Sequence, residues 1–175
     1  MRTISLFSTF LLLLTLTSCS FKQKERISYQ YYDKGVIKSM SHIKGDSTKD
    51  GVQINFYKSG MIKDIRHFTN NKENGQRIAF LDKSGKVDYT CNIKNNRIQG
   101  VGYDFYKSGY LYLIVNKKDG IMDGRVTQFY DSCDLLYSIT HWIVNGKFAY
   151  RMEFDRNGDP KYFSSPNGKA EGRTH

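Results

Sequence analysis

The stretch Phe56-Tyr57-Lys58-Ser59-Gly60 recurs letter for letter as Phe105-Tyr106-Lys107-Ser108-Gly109, and its reading decides the fold. Weaker copies end at Gly35 (YYDKG), Gly85 (FLDKSG), Cys133 (FYDSC) and Gly158 (EFDRNG), so the anchor recurs at intervals of 25, 25, 24, 24 and 25 residues. A catalytic motif has no reason to occur six times at fixed spacing. A structural unit does, and a period between about 20 and 50 residues marks a repeat architecture.

The unit from Gly51 shows what the repeat is. Val52, Ile54 and Phe56 alternate with Gln53, Asn55 and Tyr57, the period of two that belongs to a strand. Lys-Ser-Gly then suits a short hairpin loop in which a type I turn is closed by a glycine at positive φ. By this reading Gly35, Gly60, Gly85, Gly109 and Gly158 are turn residues, and Cys133 stands where the fifth turn has lost its glycine. Alternation resumes in Val87, Tyr89, Cys91 and Ile93, and polar connections ending at Gly75, Gly100 and Gly124 return the chain.

Six hairpins of 24–25 residues follow, about twelve short strands with no interval long enough for a helix of useful length. The expected fold is all-β: an elongated, curved, largely single-layer antiparallel meander, since open sheets of more than about ten strands twist or curl. Equivalent side chains should form cross-strand ladders. One expected ladder is Tyr32, Tyr57, Leu81, Tyr106, Tyr130 and Phe154; its neighbour, on the other face, is Tyr31, Phe56, Phe80, Phe105 and Phe129. Residues 133–148, which carry the one Trp at 142, should be the most irregular unit.

The ends of the chain read differently. Arg2, an apolar run from Leu6 to Leu16 and then Leu16-Thr17-Ser18-Cys19 have the order of a signal peptide, too short to span a bilayer. Leu16–Cys19 resembles the lipobox of bacterial lipoproteins, which implies cleavage after Ser18 and lipidation of Cys19. The expected organisation is a signal peptide over 1–18, a tether over 19–27, the repeat domain over 28–163 and a frayed tail over 164–175. Ser20 is not the Asp that resembles an inner-membrane retention signal, so the expected address is the cell envelope, lipid-anchored at the outer membrane and facing the periplasm.

The recurring aromatic pair, polar turn, Gly, alternating strand and polar return resemble the MORN-repeat variant family of bacteria over about Tyr29 to Phe163, best in the stretch from Phe105 to Tyr130. The resemblance implies repeats that act as scaffolds for protein or lipid contacts and carry no catalytic residue. Members of that family are often described as antitoxin-like, but an exported lipoprotein does not meet a cytoplasmic toxin.

Candidate chemistry is sparse. His42, His67, His141 and His175 lack metal-ligand spacing, and no nucleophile elbow or phosphate loop has the strand-to-helix turn that it needs. No catalytic residue, metal or cofactor is expected. Cys91 and Cys133 are expected to be too far apart for a disulfide, with Cys91 buried.

The net charge of +10 rests largely on lysines, which suits edge protection or an anionic partner; the export signal argues against nucleic acid. The expected function is a non-enzymatic envelope scaffold that binds another protein. The alternative is a carbohydrate- or anionic-lipid-binding module using the tyrosine row (Tyr57, Tyr106, Tyr130) and a basic edge at Lys58 and Lys107, and an enzyme is a distant third.

Overall fold

The computed structural model describes residues 24–166. Twelve strands follow one another in a single antiparallel sheet in chain order: β1 (Glu25–Tyr31), β2 (Ile37–Lys44), β3 (Thr48–Phe56), β4 (Ile62–Thr69), β6 (Gly75–Phe80), β7 (Val87–Lys94), β9 (Gly100–Phe105), β10 (Leu111–Lys118), β12 (Gly124–Phe129), β13 (Tyr137–Val144), β14 (Lys147–Phe154) and β15 (Pro160–Ser164). Three two-residue strands, β5 (Lys72–Glu73), β8 (Arg97–Ile98) and β11 (Ile121–Met122), extend β4, β7 and β10. A single 3-10 turn, Asp33–Gly35, is the only helical element among the described residues.

Both ends differ from expectation. β1 begins at Glu25, so Glu25, Arg26 and Ile27, placed in the tether from sequence, are strand; their alternation is too short to read without a partner strand. β15 reaches Ser164, one residue into the expected tail. The expected signal peptide and the expected lipidation at Cys19 lie outside the described residues.

The turn reading is upheld at the repeated motif. Tyr57 N–H donates to Met61 O at 2.8 Å and Gly60 N–H to Tyr57 O at 3.0 Å; the second copy repeats this with Tyr106 to Tyr110 and Gly109 to Tyr106, both at 2.8 Å. Gly35, Gly60, Gly85, Gly109 and Gly158 have φ of 79°, 87°, 67°, 98° and 88°. Cys133 does not take the corresponding place. That fifth turn is longer, closing from Tyr130 N–H to Leu136 O, and Leu135 holds the positive φ of 50°.

The returns are tighter than the sequence reading made them. Asn70-Asn71, Asn95-Asn96, Asp119-Gly120 and Asn145-Gly146 are two-residue loops with positive φ at both positions, the pattern of type I′ hairpin turns. Gly75, Gly100 and Gly124 come after those loops, at φ of 109°, 80° and 98°, where the chain bends into the next strand.

The two faces of the sheet are unequal. Register pairs place Ile43, Ala79, Cys91, Ile93, Val115 and Val126 on one face together with Ser39, Ser41, Asp64 and Glu73, and all ten are buried. The opposite face carries Tyr29, Val101, Tyr103, Trp142 and Phe163, all exposed, although Thr127, Phe129 and Thr140 on it are buried. A flat single layer would expose both sides alike, so the asymmetry is that of a sheet curled toward the first, closed face.

Candidate functional site

The repeated FYKSG motif couples one unit to the next. Tyr57 Oη donates to Phe80 O at 2.8 Å, and Ser59 Oγ donates to Asp82 Oδ1 at 2.6 Å. The second copy does the same: Tyr106 Oη donates to Phe129 O at 2.8 Å and Ser108 Oγ to Asp131. Tyr32 reaches Phe56 O and Tyr130 reaches Phe154 O, each at 2.8 Å. Four tyrosines therefore hold four neighbours by one type of bond, broken only where Leu81 has no hydroxyl.

This arrangement corrects the sequence-derived ladder. Phe154 accepts the bond from Tyr130, so it stands in register with Phe56, Phe80 and Phe129 rather than with the tyrosines. Asp155 occupies the tyrosine position, its N–H donating to Asp159 O at 2.9 Å as Tyr57 N–H does to Met61. Phe154 stands four residues before Gly158 as Phe56 stands four before Gly60, so aligning this anchor from the glycine gives the right answer.

The candidate ligand row thus has structural work. Tyr57, Tyr106 and Tyr130 are half-buried, with their hydroxyls turned into the next unit. Their rings are also engaged: Lys63 lies over Tyr57 at 5.8 Å, Arg156 over Tyr130 at 4.8 Å, and Tyr112 meets Tyr106 edge-on at 4.8 Å. Burial raises the Tyr57 and Tyr106 pKa values above the ordinary phenol value, so both hydroxyls remain donors at neutral pH. Lys58 and Lys107 are exposed at the turns, and the Lys58 ammonium lies 6.0 Å from the centre of the Tyr32 ring.

At the opposite edge, the type I′ loops are stapled to the preceding unit. Asn71 N–H donates to Lys49 O at 2.9 Å while Lys49 N–H donates to Asn71 Oδ1 at 2.7 Å, and Asn96 and Glu73 repeat the reciprocal pair at 3.0 and 2.7 Å. The signal was present in the sequence as NN, DG and NG dipeptides between alternating segments.

On the closed face a polar chain crosses the first units. Lys49 Nζ donates to Gln53 Oε1, Gln53 Nε2 to Asn55 Oδ1, Asn55 Nδ2 to Asp64 Oδ1, and Arg66 grips both Asp64 oxygens at 2.7 and 3.1 Å. Asp64 is 3% exposed. Burial alone would raise its pKa, but the bonds from Arg66 and Asn55 outweigh it and hold the carboxyl below its usual range. Arg77 forks onto Glu73 in the same way. Both oxygens of each carboxylate accept a hydrogen bond from an arginine.

Burial raises the Cys91 and Asp104 pKa values, the Asp104 charge adding to the rise at Cys91, and lowers that of His141, which stands apart from both on β13. Cys91 is buried and Cys133 exposed, both free thiols. No group of three His, Cys, Asp or Glu side chains suited to a metal occurs among the described residues.

The most distinctive surface feature lies on the open face. Val101, Ile114, Asn116, Arg125, Thr127, Phe129 and Tyr137 line a shallow trough of about 380 Å³. The Arg125 guanidinium lies 5.4 Å from the centre of the Tyr137 ring, and no carboxylate pairs with it among the described residues. Trp142, opposite Arg125 on β13, stacks on Tyr150 with centroids 5.9 Å apart and planes at 10°. Sequence reasoning missed this site because Arg125 lies in the second strand position after a return glycine, where a single charged residue among alternating ones looks like ordinary solvent exposure.

No protein-family model matches the chain, and none of the curated proteins compared with it does.

Proposed function

We propose that this protein is a non-enzymatic scaffold of the bacterial cell envelope, lipid-anchored through Cys19, which binds another protein through the open face of its sheet. The observation that carries this reading is the trough around Arg125: a cation with no carboxylate partner among the described residues, lined by Val101, Phe129 and Tyr137 and with Trp142 opposite it on β13, where Val101, Tyr137 and Trp142 stay exposed. Aromatic residues and Arg are the side chains enriched in protein interfaces. A basic chain with an unpaired guanidinium in an apolar setting suits a segment that presents a carboxylate beside an apolar side chain.

The tyrosine row is a weaker candidate for ligand stacking, because its hydroxyls and ring faces already have partners within the sheet. Lys58 and Lys107 remain available to an anionic surface, about 19 Å apart over four strand spacings.

The test is a photo-crosslinking amino acid at Trp142 in the anchored protein, run beside an array of glycans and anionic vesicles. Capture of an envelope protein that is lost on Arg125→Glu supports the reading. Binding only to glycan or vesicle, unaffected by Arg125→Glu and weakened by charge reversal at Lys58 and Lys107, overturns it. The anchor is tested separately by Cys19→Ser, which should release the chain from the membrane fraction; unchanged fractionation removes the lipid from the proposal.

A further inference from the structure

The two edges of the sheet are built differently. β15 is five residues long, opens with Pro160 and carries Lys161, features that blunt an edge. In its unit, Asp155 stands where a tyrosine would reach onward, and its carboxylate accepts the N–H groups of Asn157 and Asp159 at 2.8 and 3.0 Å instead. Nothing in that turn extends toward a further unit.

β1 is less protected: it carries Glu25 and Arg26 and a register irregularity at Gln30/Tyr31, where the extra residue belongs to β2, but no proline and no lysine. It is seven residues long without proline, and among the described residues it is the end of the sheet. Which backbone groups are free follows from its bonds. Gly45 N–H donates to Lys24 O at 2.9 Å and Tyr32 N–H to Val36 O at 2.7 Å. Even-numbered residues therefore bond to β2, and Glu25, Ile27, Tyr29 and Tyr31 turn their N–H and C=O groups outward. The side chains of these same residues lie on the open face, with Ile27 45%, Tyr29 46% and Tyr31 57% exposed and the two tyrosine rings stacked at 6.5 Å.

We infer that β1 is a self-association edge, pairing antiparallel with β1 of a second copy of this chain about a two-fold axis through Ser28. The sequence Glu25–Tyr31 selects this register. With Ser28 opposite Ser28, the outward groups of Ile27 meet those of Tyr29, and the groups of Glu25 meet those of Tyr31, so all four outward residues of each copy are paired. On the open face Ile27 then lies across from Tyr29 twice, an aromatic and β-branched cross-strand pair; on the closed face Arg26 lies across from Gln30. Shifting by two residues in either direction leaves Tyr31 or Glu25 unpaired. A shift of four sets Arg26 against Arg26, like charges directly opposite. Head-to-tail stacking would instead place β1 on β15, the edge that Pro160, Lys161 and Asp155 close. The isologous pair is therefore the arrangement that the two edges leave, and it does not depend on the anchor or on the Arg125 trough.

The experiment uses the full chain carrying Cys19→Ser and Cys133→Ser, with Cys91 buried, in sedimentation equilibrium and in mild oxidation. The parent should sediment at twice the mass of the chain. Ser28→Cys should give a disulfide-linked dimer, because residues opposite one another in a non-hydrogen-bonded pair have Cα atoms about 4.5 Å apart, within the range of a disulfide. Gln30→Cys should not, since its two copies would stand four residues out of register, roughly 13 Å apart. Tyr29→Pro removes an outward N–H while sparing the β1–β2 bonds, and should weaken association at least ten-fold. A monomer at all concentrations, a dimer in which Ser28→Cys does not cross-link, or a dimer indifferent to Tyr29→Pro with the fold intact would each overturn the inference.

Discussion

The turns at Tyr57–Gly60 and Phe129–Tyr137 make the same onward bond on different backbones. In both, a tyrosine hydroxyl donates to the carbonyl of a phenylalanine in the next unit, at 2.8 Å in each case. The first turn also ties its serine to Asp82, whereas the hydroxyl of Ser132 is buried with no hydrogen-bond partner. The first closes on Gly60; the second runs longer and closes on Leu135 at φ 50°. The difference separates two jobs that the motif FYKSG combines. Coupling between units belongs to the tyrosine and survives a change of turn, while the reversal of the chain belongs to whichever residue takes the left-handed conformation.

The largest expected effect breaks the reversal. Gly60→Val and Gly109→Val each place a β-branched residue at positive φ, which costs about 1–2 kcal/mol or more. At Gly60 a Cβ would meet nothing within 4 Å, so any loss there reports backbone strain and not a clash. Thermal unfolding should show both variants melting several degrees lower, whereas Cys133→Val, aligned with them in sequence, should change little. Equal losses at all three positions would mean that Cys133 holds the left-handed place after all.

A smaller effect tests the coupling. Tyr57→Phe and Tyr106→Phe keep the ring and remove one hydrogen bond each, about 1 kcal/mol apiece. Because Tyr130 makes the same bond from the longer turn, Tyr130→Phe should lose as much as the other two. A loss confined to Tyr57 and Tyr106 would tie the clamp to the KSG backbone. Leu81→Tyr, at the one interruption in the row, should recover part of that energy if its hydroxyl reaches Phe105 O.

The contrast between these turns also marks how far the sequence could be read. Strand alternation and the six-fold spacing sufficed for an open antiparallel meander, because both depend on local chemistry that each unit repeats. The clamp did not follow, since the partner of Tyr57 is a backbone carbonyl 23 residues away, and a carbonyl has no letter. Tyr57, Tyr106 and Tyr130 looked like a free row for the same reason. The closed face was equally hidden: Asp64 and Arg66 alternate as solvent-facing residues do, and only the curl of the whole sheet buries them. Phe154 was misplaced by counting from the aromatic residue rather than from the glycine. The start of the edge strand, Glu25 to Ile27, escaped because a polar stretch after a signal-like segment resembles a tether until its pairing with β2 is known.

The smallest expected effect is a gain, and it comes from Leu135. A leucine at φ 50° bears a cost of roughly 1–2 kcal/mol that glycine does not. Against this, glycine gives the unfolded chain more freedom, a penalty of about 0.5–1 kcal/mol. The side chain itself contributes little packing, since it is 54% exposed. Leu135→Gly should therefore raise stability by roughly 0.5 kcal/mol, the residue of those two opposing terms. Cys133→Gly should not raise it, because it adds unfolded-state freedom without relieving strain. Chemical denaturation resolves the two if the slope with denaturant is the same in both, so that a change in midpoint reports stability alone. Should Cys133→Gly be the stabilising variant and Leu135→Gly the destabilising one, the fifth turn closes as the other five do, and the separation of coupling from reversal fails at the position where it was drawn.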